Sequence, residues 1–217
     1  MRDDPLRAEV LSVQLIPNVN DALKEKLNLE KGHRSIGLIT CDIDDVGYTA
    51  LDEATKKASV DIVYAKSFYA GADNATTKLA GEFIGIMAGP SPAEVNSGLD
   101  AAVDFIENGA CFYSANEDDS ICYYNHCVSR TGSFLSAEAG VPKGQALAYL
   151  IAPPMEAIYA LDAALKSANV ELVTFYGPPS ETNFGGALLT GSQSACQAAC
   201  NAFALAVKSV ADKPCNY

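Results

Sequence analysis

ALDEATKKASVDIV, residues 50–63, decides how the chain reads, because it returns as ALDAALKSANVELV at residues 160–173 with eight of its fourteen positions identical. In both copies a helical pattern gives way, at Ser59 or Asn169, to a strand pattern of alternating apolar and polar residues. The correspondence runs on in both directions. Upstream, Lys31-Gly32 matches Lys143-Gly144, and Ile36–Ile39 matches Ala148–Ile151. Downstream, FIGIMAG at 83–89 matches ALLTGS at 187–192, and each is followed by a Ser-led helix, 91–107 and 192–210. The first copy holds eight more residues between its second and third strands, and a loop is where such an insertion is tolerated.

A chain of 217 residues has room for two domains of about 100 residues, each with its own core. The repeat predicts that division, residues 1–112 and 113–217. The fold class expected is α/β, in the α+β sense, with antiparallel sheets. Hydrophobic residues make up 49% of the chain without any run near 18 apolar residues, so no membrane span is expected. The opening MRDDPLRAEV carries acids where a targeting peptide would not, which predicts a cytoplasmic protein. With 15 Lys and Arg against 27 Asp and Glu, the net charge of −12 opposes a nucleic-acid partner and suits a cationic one.

In chain order, Ala8–Ile16 alternates as a strand, Pro17 and Asn18 end it, and Asn20 caps a short helix through Leu27. Ser35–Cys41 reads as a buried strand, and Asp42-Ile43-Asp44-Asp45 turns from it into the repeated helix, with an Asp near the N-cap. The loops 67–80 and 176–183 stand at equivalent positions. Both are irregular, and such loops are where function concentrates. Gly81–Gly89 is a strand, Asn108-Gly109 a helix end, and Cys111–Ser120 an acidic linking turn. Tyr123–Val128 opens the second copy and Gly132–Ala139 is its short helix. Pro153-Pro154 then stands where Asp42–Asp45 stood.

The odd count of seven cysteines argues for reduced thiols. Cys196 and Cys200 share one helix face and read as core residues. Cys122, His126 and Cys127 have zinc-ligand character but no evident fourth ligand, so no metal site is expected. Asp42-x-Asp44-x-Val46 after an apolar strand resembles the opening motif of phosphatase-like enzymes, the alternative enzyme reading. The later acids such an enzyme needs have no counterpart, and no phosphate loop, nucleophile elbow or His-centred triad is visible. The chain is therefore not expected to be an enzyme. A small-molecule-binding sensor remains a second alternative.

SIGLITCDIDDVGYTALDEATKKA at 35–58, SFYAGA at 67–72, IENGA at 106–110, SRTGSFLS at 129–136, YLIAPPMEA at 149–157, ALKSANV at 164–170, PPSETN at 178–183 and LLTGSQSACQAACNAF at 188–203 together resemble the ethanolamine-utilisation family of bacterial microcompartment shell proteins. The resemblance spans about Leu11 to Val207. It implies two tandem, circularly permuted microcompartment domains of ferredoxin-like type. It also implies three chains assembled as a trimeric pseudohexamer that tiles beside other shell proteins in the shell layer.

The resemblance further implies a gated threefold pore and small pores that accept ethanolamine. Its ligand site falls on Asp44, Asp45, Glu82, Phe112 and Asn183, where carboxylates answer an ammonium group. Its gate falls on Tyr69, Ala70, Gly71, Thr182, Asn183 and Phe184. No cofactor is required by it, although cobalamin at the threefold axis is associated with such discs.

Overall fold

The apolar run Ser35–Cys41 is a central strand because its residues are β-branched and small enough to be covered on both faces. The computed structural model describes residues 1–68 and 77–215. In chain order its first elements are β1 (Pro5–Leu6), β2 (Val10–Ile16), α1 (Asp21–Lys26), β3 (Ser35–Cys41), α2 (Asp44–Lys57), β4 (Asp61–Ser67), a 3-10 turn (Lys78–Ala80), β5 (Phe83–Gly89) and α3 (Pro92–Asn108). There follow β6 (Phe112–Ser114), β7 (Cys122–Val128), α4 (Ser133–Ala139), β8 (Ala146–Ala152), α5 (Pro154–Ser167), β9 (Val170–Tyr176), β10 (Gly185–Gly191) and α6 (Gln193–Asp212). Three helices start on the side-chain caps expected of them: Asn20 accepts from Ala22 N–H, Ser91 from Glu94 N–H and Ser192 from Ala195 N–H.

Contacts divide the chain into two units. The first unit, Ala8–Ala110 with Gly132–Leu135, carries an antiparallel sheet in the order β2-β3-β5-β4. Helices α2 and α3 pack on each other and on this sheet. The second unit, Met1–Arg7, Cys111–Thr131 and Ser136–Tyr217, carries the order β1-β6-β7-β8-β10-β9. Its helices α5 and α6 cover the face formed by Ala148, Leu150, Ala152, Ala187 and Leu189, with Cys196, Cys200 and Phe203 in the same core. The order strand, helix, strand, helix, two strands, helix is the same in both units, as duplication requires. No helix of the described residues is long and apolar enough to cross a membrane.

The units differ from the expected division at residue 112. The chain changes unit between Ala110 and Cys111, and Met1–Arg7 belong with the second half. Their transfer comes from Pro5 and Leu6, which pair with Tyr113 and Phe112. The acidic turn expected over Cys111–Ser120 therefore contains β6, the strand that receives β1. Met1 N, Arg2 and Asp3 add ion pairs to Asp119, Asp212 and Lys208.

Gly132–Leu135 moves the other way because of Asp52. This carboxylate is fully buried and accepts from Gly132 N–H at 2.7 Å and Leu135 N–H at 2.8 Å, capping α4 from outside its own sequence. Lys56 Nζ lies 3.4 Å away, and Thr55 Oγ1 accepts from Ser133 N–H at 3.0 Å. Position 132 has to be glycine: a Cβ there would meet Thr55 Oγ1 at 2.1 Å and the Asp52 carbonyl at 2.6 Å. Asp162, the same residue of the repeat, is exposed and pairs with Lys166. Asp52→Ala is thus expected to lower unfolding stability by about 3 kcal/mol, two buried donors being left unmet. Asp162→Ala should stay within about 0.5 kcal/mol. Equal shifts in the two urea midpoints would refute the distinction.

Candidate functional site

The turn that follows β3 brings three acids to one end of the first unit. Asp42 ends the strand, and its Oδ1 accepts from Glu9 N–H at 2.6 Å. Helix α2 then begins at Asp44, with Ile43 at the N-cap and no side-chain cap bond. The expected capping Asp is thus displaced into the first turn, where Asp44 and Asp45 are both buried and where the helix dipole favours negative charge. Asp44 Oδ1 accepts from Asp45 N–H at 2.9 Å.

Glu82 reaches the same place from the other side of the sheet end. Its N–H donates to the Cys41 carbonyl at 3.0 Å, an approach made possible by Gly81, whose φ is +60° and whose Cβ would sit 2.1 Å from that carbonyl oxygen. Burial, then Asp44, then Asp42 push the Glu82 carboxyl up to about 7. Every influence acts in one direction, because each disfavours a further negative charge. Burial also raises Asp42 and pushes the Cys41 thiol up to about 12. Tyr48 lines the cluster: its hydroxyl is hydrogen-bonded to Ser67 Oγ at 2.7 Å, and burial first, with Asp44 and Asp45 adding to it, raises it. Asp42, Asp44 and Glu82 form a half-sheltered acidic site that can accept several hydrogen bonds from one small cation.

Asp44 and Glu82 are therefore brought together, with Asp45 beside Asp44 in the first turn of α2, whereas Phe112 and Asn183 lie in the second unit. Phe112 is buried, stacked on Tyr124 with centroids 5.2 Å apart and edge-on to Phe184 at 5.9 Å. Tyr149 continues this aromatic row to Tyr176. Thr182, Asn183 and Phe184 occupy a tight turn in which Ser180 N–H donates to the Phe184 carbonyl and Asn183 N–H to the Ser180 carbonyl. Asn183 adopts φ +66°, a conformation Asn tolerates better than most residues. Tyr69, Ala70 and Gly71 lie outside the described residues.

Strand alternation disperses the sequence cluster of Cys122, His126 and Cys127: Cys122 and His126 share one face of β7 and Cys127 points to the other. Burial and the Cys127 thiol push Cys196 up to about 11 and raise Cys200 as well, so Cys127 belongs with those core thiols. A different trio, Glu30, His33 and Asp61, has donors within 4.8 Å of one another. His33 is already committed, however. Its Nδ1 accepts from Glu30 N–H at 3.2 Å, which leaves Nε2 protonated and donating to Asp61 Oδ2 at 3.0 Å. A metal would have to displace one of these bonds, and ligating histidines ordinarily donate their second N–H. Sequence reading missed this pair, which is separated by 28 positions and joined because β3 and β4 flank β5, Ile36 and Asp61 both being registered with Ala88. It also passed over Tyr48, whose only signal is an aromatic one turn into α2.

Residues 35–116 and 151–214 match the BMC domain family. The chain belongs to the bacterial microcompartment shell proteins. It is 67% identical to the bacterial microcompartment shell protein EutL of Clostridium perfringens, with all of both chains covered. It is 53% identical to EutL of Salmonella typhimurium over 97% of this chain and 96% of that one. A crystal structure of the ethanolamine utilization protein EutL from Leptotrichia buccalis superposes with a TM-score of 0.98 at 70% identity, covering 100% of each chain. The chain is a structural shell protein with tandem BMC domains and antiparallel sheets, related to the shell proteins of ethanolamine utilisation.

In this shell protein the folded pKa of Glu82, about 7, lies above its reference of 4.5. The folded chain therefore holds a proton that the unfolded chain has lost, and stability falls as pH rises across that window. Glu82→Gln is expected to flatten this slope in thermal melts between about pH 5 and about pH 8. A variant that kept the parent's slope would show that another group titrates there.

Proposed function

We propose that the chain assembles as a homotrimeric disc in the microcompartment shell in the cytoplasm, with other shell proteins beside it in a flat layer. The acidic site is the small pore that binds ethanolamine, and loops 67–80 and 176–184 gate the wider opening at the threefold axis. The observation that carries the ligand reading is the convergence of Asp42, Asp44 and Glu82, with Glu82 raised to about 7 by burial and its neighbours, and with Asp45 next to them in the first turn of α2. Such a site is short of positive charge, and an ammonium group supplies it while the ligand's hydroxyl meets a remaining carboxylate or carbonyl. Ligand bound preferentially to one loop arrangement would shift the gate's population toward it. The role is transport and structure, without catalysis: Asp42 is held by Glu9 N–H, and the corresponding turn of the second copy is Pro153-Pro154.

Cobalamin at the threefold axis is the secondary ligand of this proposal.

Ethanolamine binding, measured by calorimetry, should strengthen as pH rises through about 7, where Glu82 becomes anionic. Asp45→Ala and Glu82→Gln should each weaken it by about tenfold, near 1.4 kcal/mol for one lost charge-assisted contact. Binding unchanged in both variants would remove the acidic turn as the site. Light scattering should return three times 22.8 kDa for the parent chain, and a monomer would overturn the disc.

A further inference from the structure

Strand register matches the two copies of the repeat residue by residue. In the first unit Gly37 of β3 pairs with Met87 of β5 and with Leu15 of β2. In the second, Ala148 of β8 pairs with Leu189 of β10 and with Cys127 of β7. Met87 and Leu189 stand at the same distance from the glycines that end their strands, Gly89 and Gly191. Gly37, rather than Ile36, is thereby the counterpart of Ala148, and Leu15 the counterpart of Cys127. The helices above them start on equivalent caps, Ser91 for α3 and Ser192 for α6, which sets Cys196 at the place of Val95 and Cys200 at the place of Leu99. Three hydrocarbon positions of the first copy are thus thiols in the second.

Packing explains part of this exchange. A Cβ on Gly37 would meet side-chain carbons of Val95 and Leu99 at 2.8 Å, and Ala148 has that Cβ, so smaller side chains are required at 196 and 200. Size accounts for the lost carbons but not for sulfur, since alanine would serve, and it leaves Cys127 without a reason. The three thiols also share one neighbourhood. Cys196 Sγ lies 4.0 Å from the Leu189 carbonyl, and Cys127 Sγ lies 3.7 Å from the carbonyl of Gln193, one turn before Cys196. Leu189, Ala148 and Cys127 form one row across three strands, with cross-strand neighbours about 5 Å apart; Cys196 sits above that row, and Cys200 follows it on the same helix face. Burial first, and then Cys127, pushes Cys196 up to about 11, and burial, Cys127 and Cys196 together raise Cys200. A cation among these sulfurs reverses that repulsion. Cys196 and Cys200 are fully buried, whereas Cys127 is partly exposed and gives the cluster an entrance.

We propose that Cys127 and Cys196, with Cys200 behind them, bind a soft, thiophilic metal ion of the class of Cu(I). Thiolate sulfur selects such ions over harder ones. Zinc in a closed protein site takes four ligands, and this cluster supplies three sulfurs. Among the described residues only Glu30, His33 and Asp61 bring three donors within 4.8 Å of one another, so the sulfurs are more widely set than that. A linear site made by two thiolates, which Cu(I) accepts, is the arrangement that fits. Both thiols give up their protons to solvent as the ion enters. The site is separate from the acidic turn after β3 and independent of the ligand reading given for it.

The experiment offers Cu(I), held by the chromophoric chelator bicinchoninate, to the full reduced chain in the absence of oxygen. The same is done with Cys127→Ala, Cys196→Ala, Cys122→Ala and Cys215→Ala, each first shown by circular dichroism to be folded. The parent should withdraw one equivalent of Cu(I) per chain from the chelator. Cys122→Ala and Cys215→Ala should do the same, because Cys122 points to the other face of β7 and Cys215 is exposed near the end of the chain. Cys127→Ala and Cys196→Ala should leave the ion with the chelator. A second measurement needs no variant: Cu(I) added to the parent should protect Cys127 from alkylation by iodoacetamide, read by mass spectrometry, while Cys215 stays reactive. A parent that withdraws no Cu(I), an uptake that survives both Cys127→Ala and Cys196→Ala, or a Cys127 alkylated equally with and without the ion would each overturn the site.

Discussion

A carboxylate buried away from water has to be met by donors, and Asp52 is met by two backbone N–H groups that lie 80 and 83 positions further along the chain. The rest of the first unit is arranged around that requirement. Gly132 exists in the only form that fits under Thr55 and Asp52, α4 starts where the carboxylate caps it, and Phe134 is thereby set against Tyr48. The same interaction explains why a piece of the second half packs with the first. In the repeat, Asp162 follows the same Ala-Leu pair and precedes the same Lys four positions on, and it has none of these demands. Identity of residue did not carry identity of role.

The acidic site depends on the same helix at its other end. Helix α2 begins without a side-chain cap, and Asp44 and Asp45 occupy its first turn, where the N–H groups left unpaired at a helix start tolerate negative charge. Glu82 is added to them by a glycine that lets β5 begin against the Cys41 carbonyl. Burial first, and then the charges of Asp44 and Asp42, make a further anion costly there, and the raised Glu82 carboxyl reflects both. On α5 the corresponding turn is built from prolines, one at the N-cap and one opening the helix, which supply the start of a helix without charge. The scaffold tolerates both solutions because the strands and helices behind them are the same.

Much of the fold is legible from local pattern. The strand Ser35–Cys41, the caps Asn20, Ser91 and Ser192, and the helix end at Asn108 follow from rules that act over a few residues. Strands of two or three residues do not: Pro5–Leu6 and Phe112–Ser114 are too short to show a period, and each is a strand only because the other pairs with it. The boundary between units was misread for that reason. On β7 the opposite holds for Cys122, His126 and Cys127, whose closeness in sequence does not bring them together because strand neighbours point to opposite faces. Asp44, Asp45 and Glu82 were found through resemblance to a family. Asp42 and Tyr48 join them only when β3, α2 and β5 are in place.

By itself the sequence determined that the chain is a duplication, where each copy's strands and helices fall, which family it belongs to, and that its charge is concentrated in acids. Those properties reside in periodicity, composition and repeated words, which are local. Tertiary structure decided which half each segment serves, that Asp52 caps a helix while Asp162 faces solvent, that His33 and Asp61 are partners, and that Glu82 shares its site with Asp42 and Asp44. Each of these is a contact between residues far apart in the chain, and whether a carboxylate is buried, paired or exposed is settled by what packs against it rather than by the residues beside it.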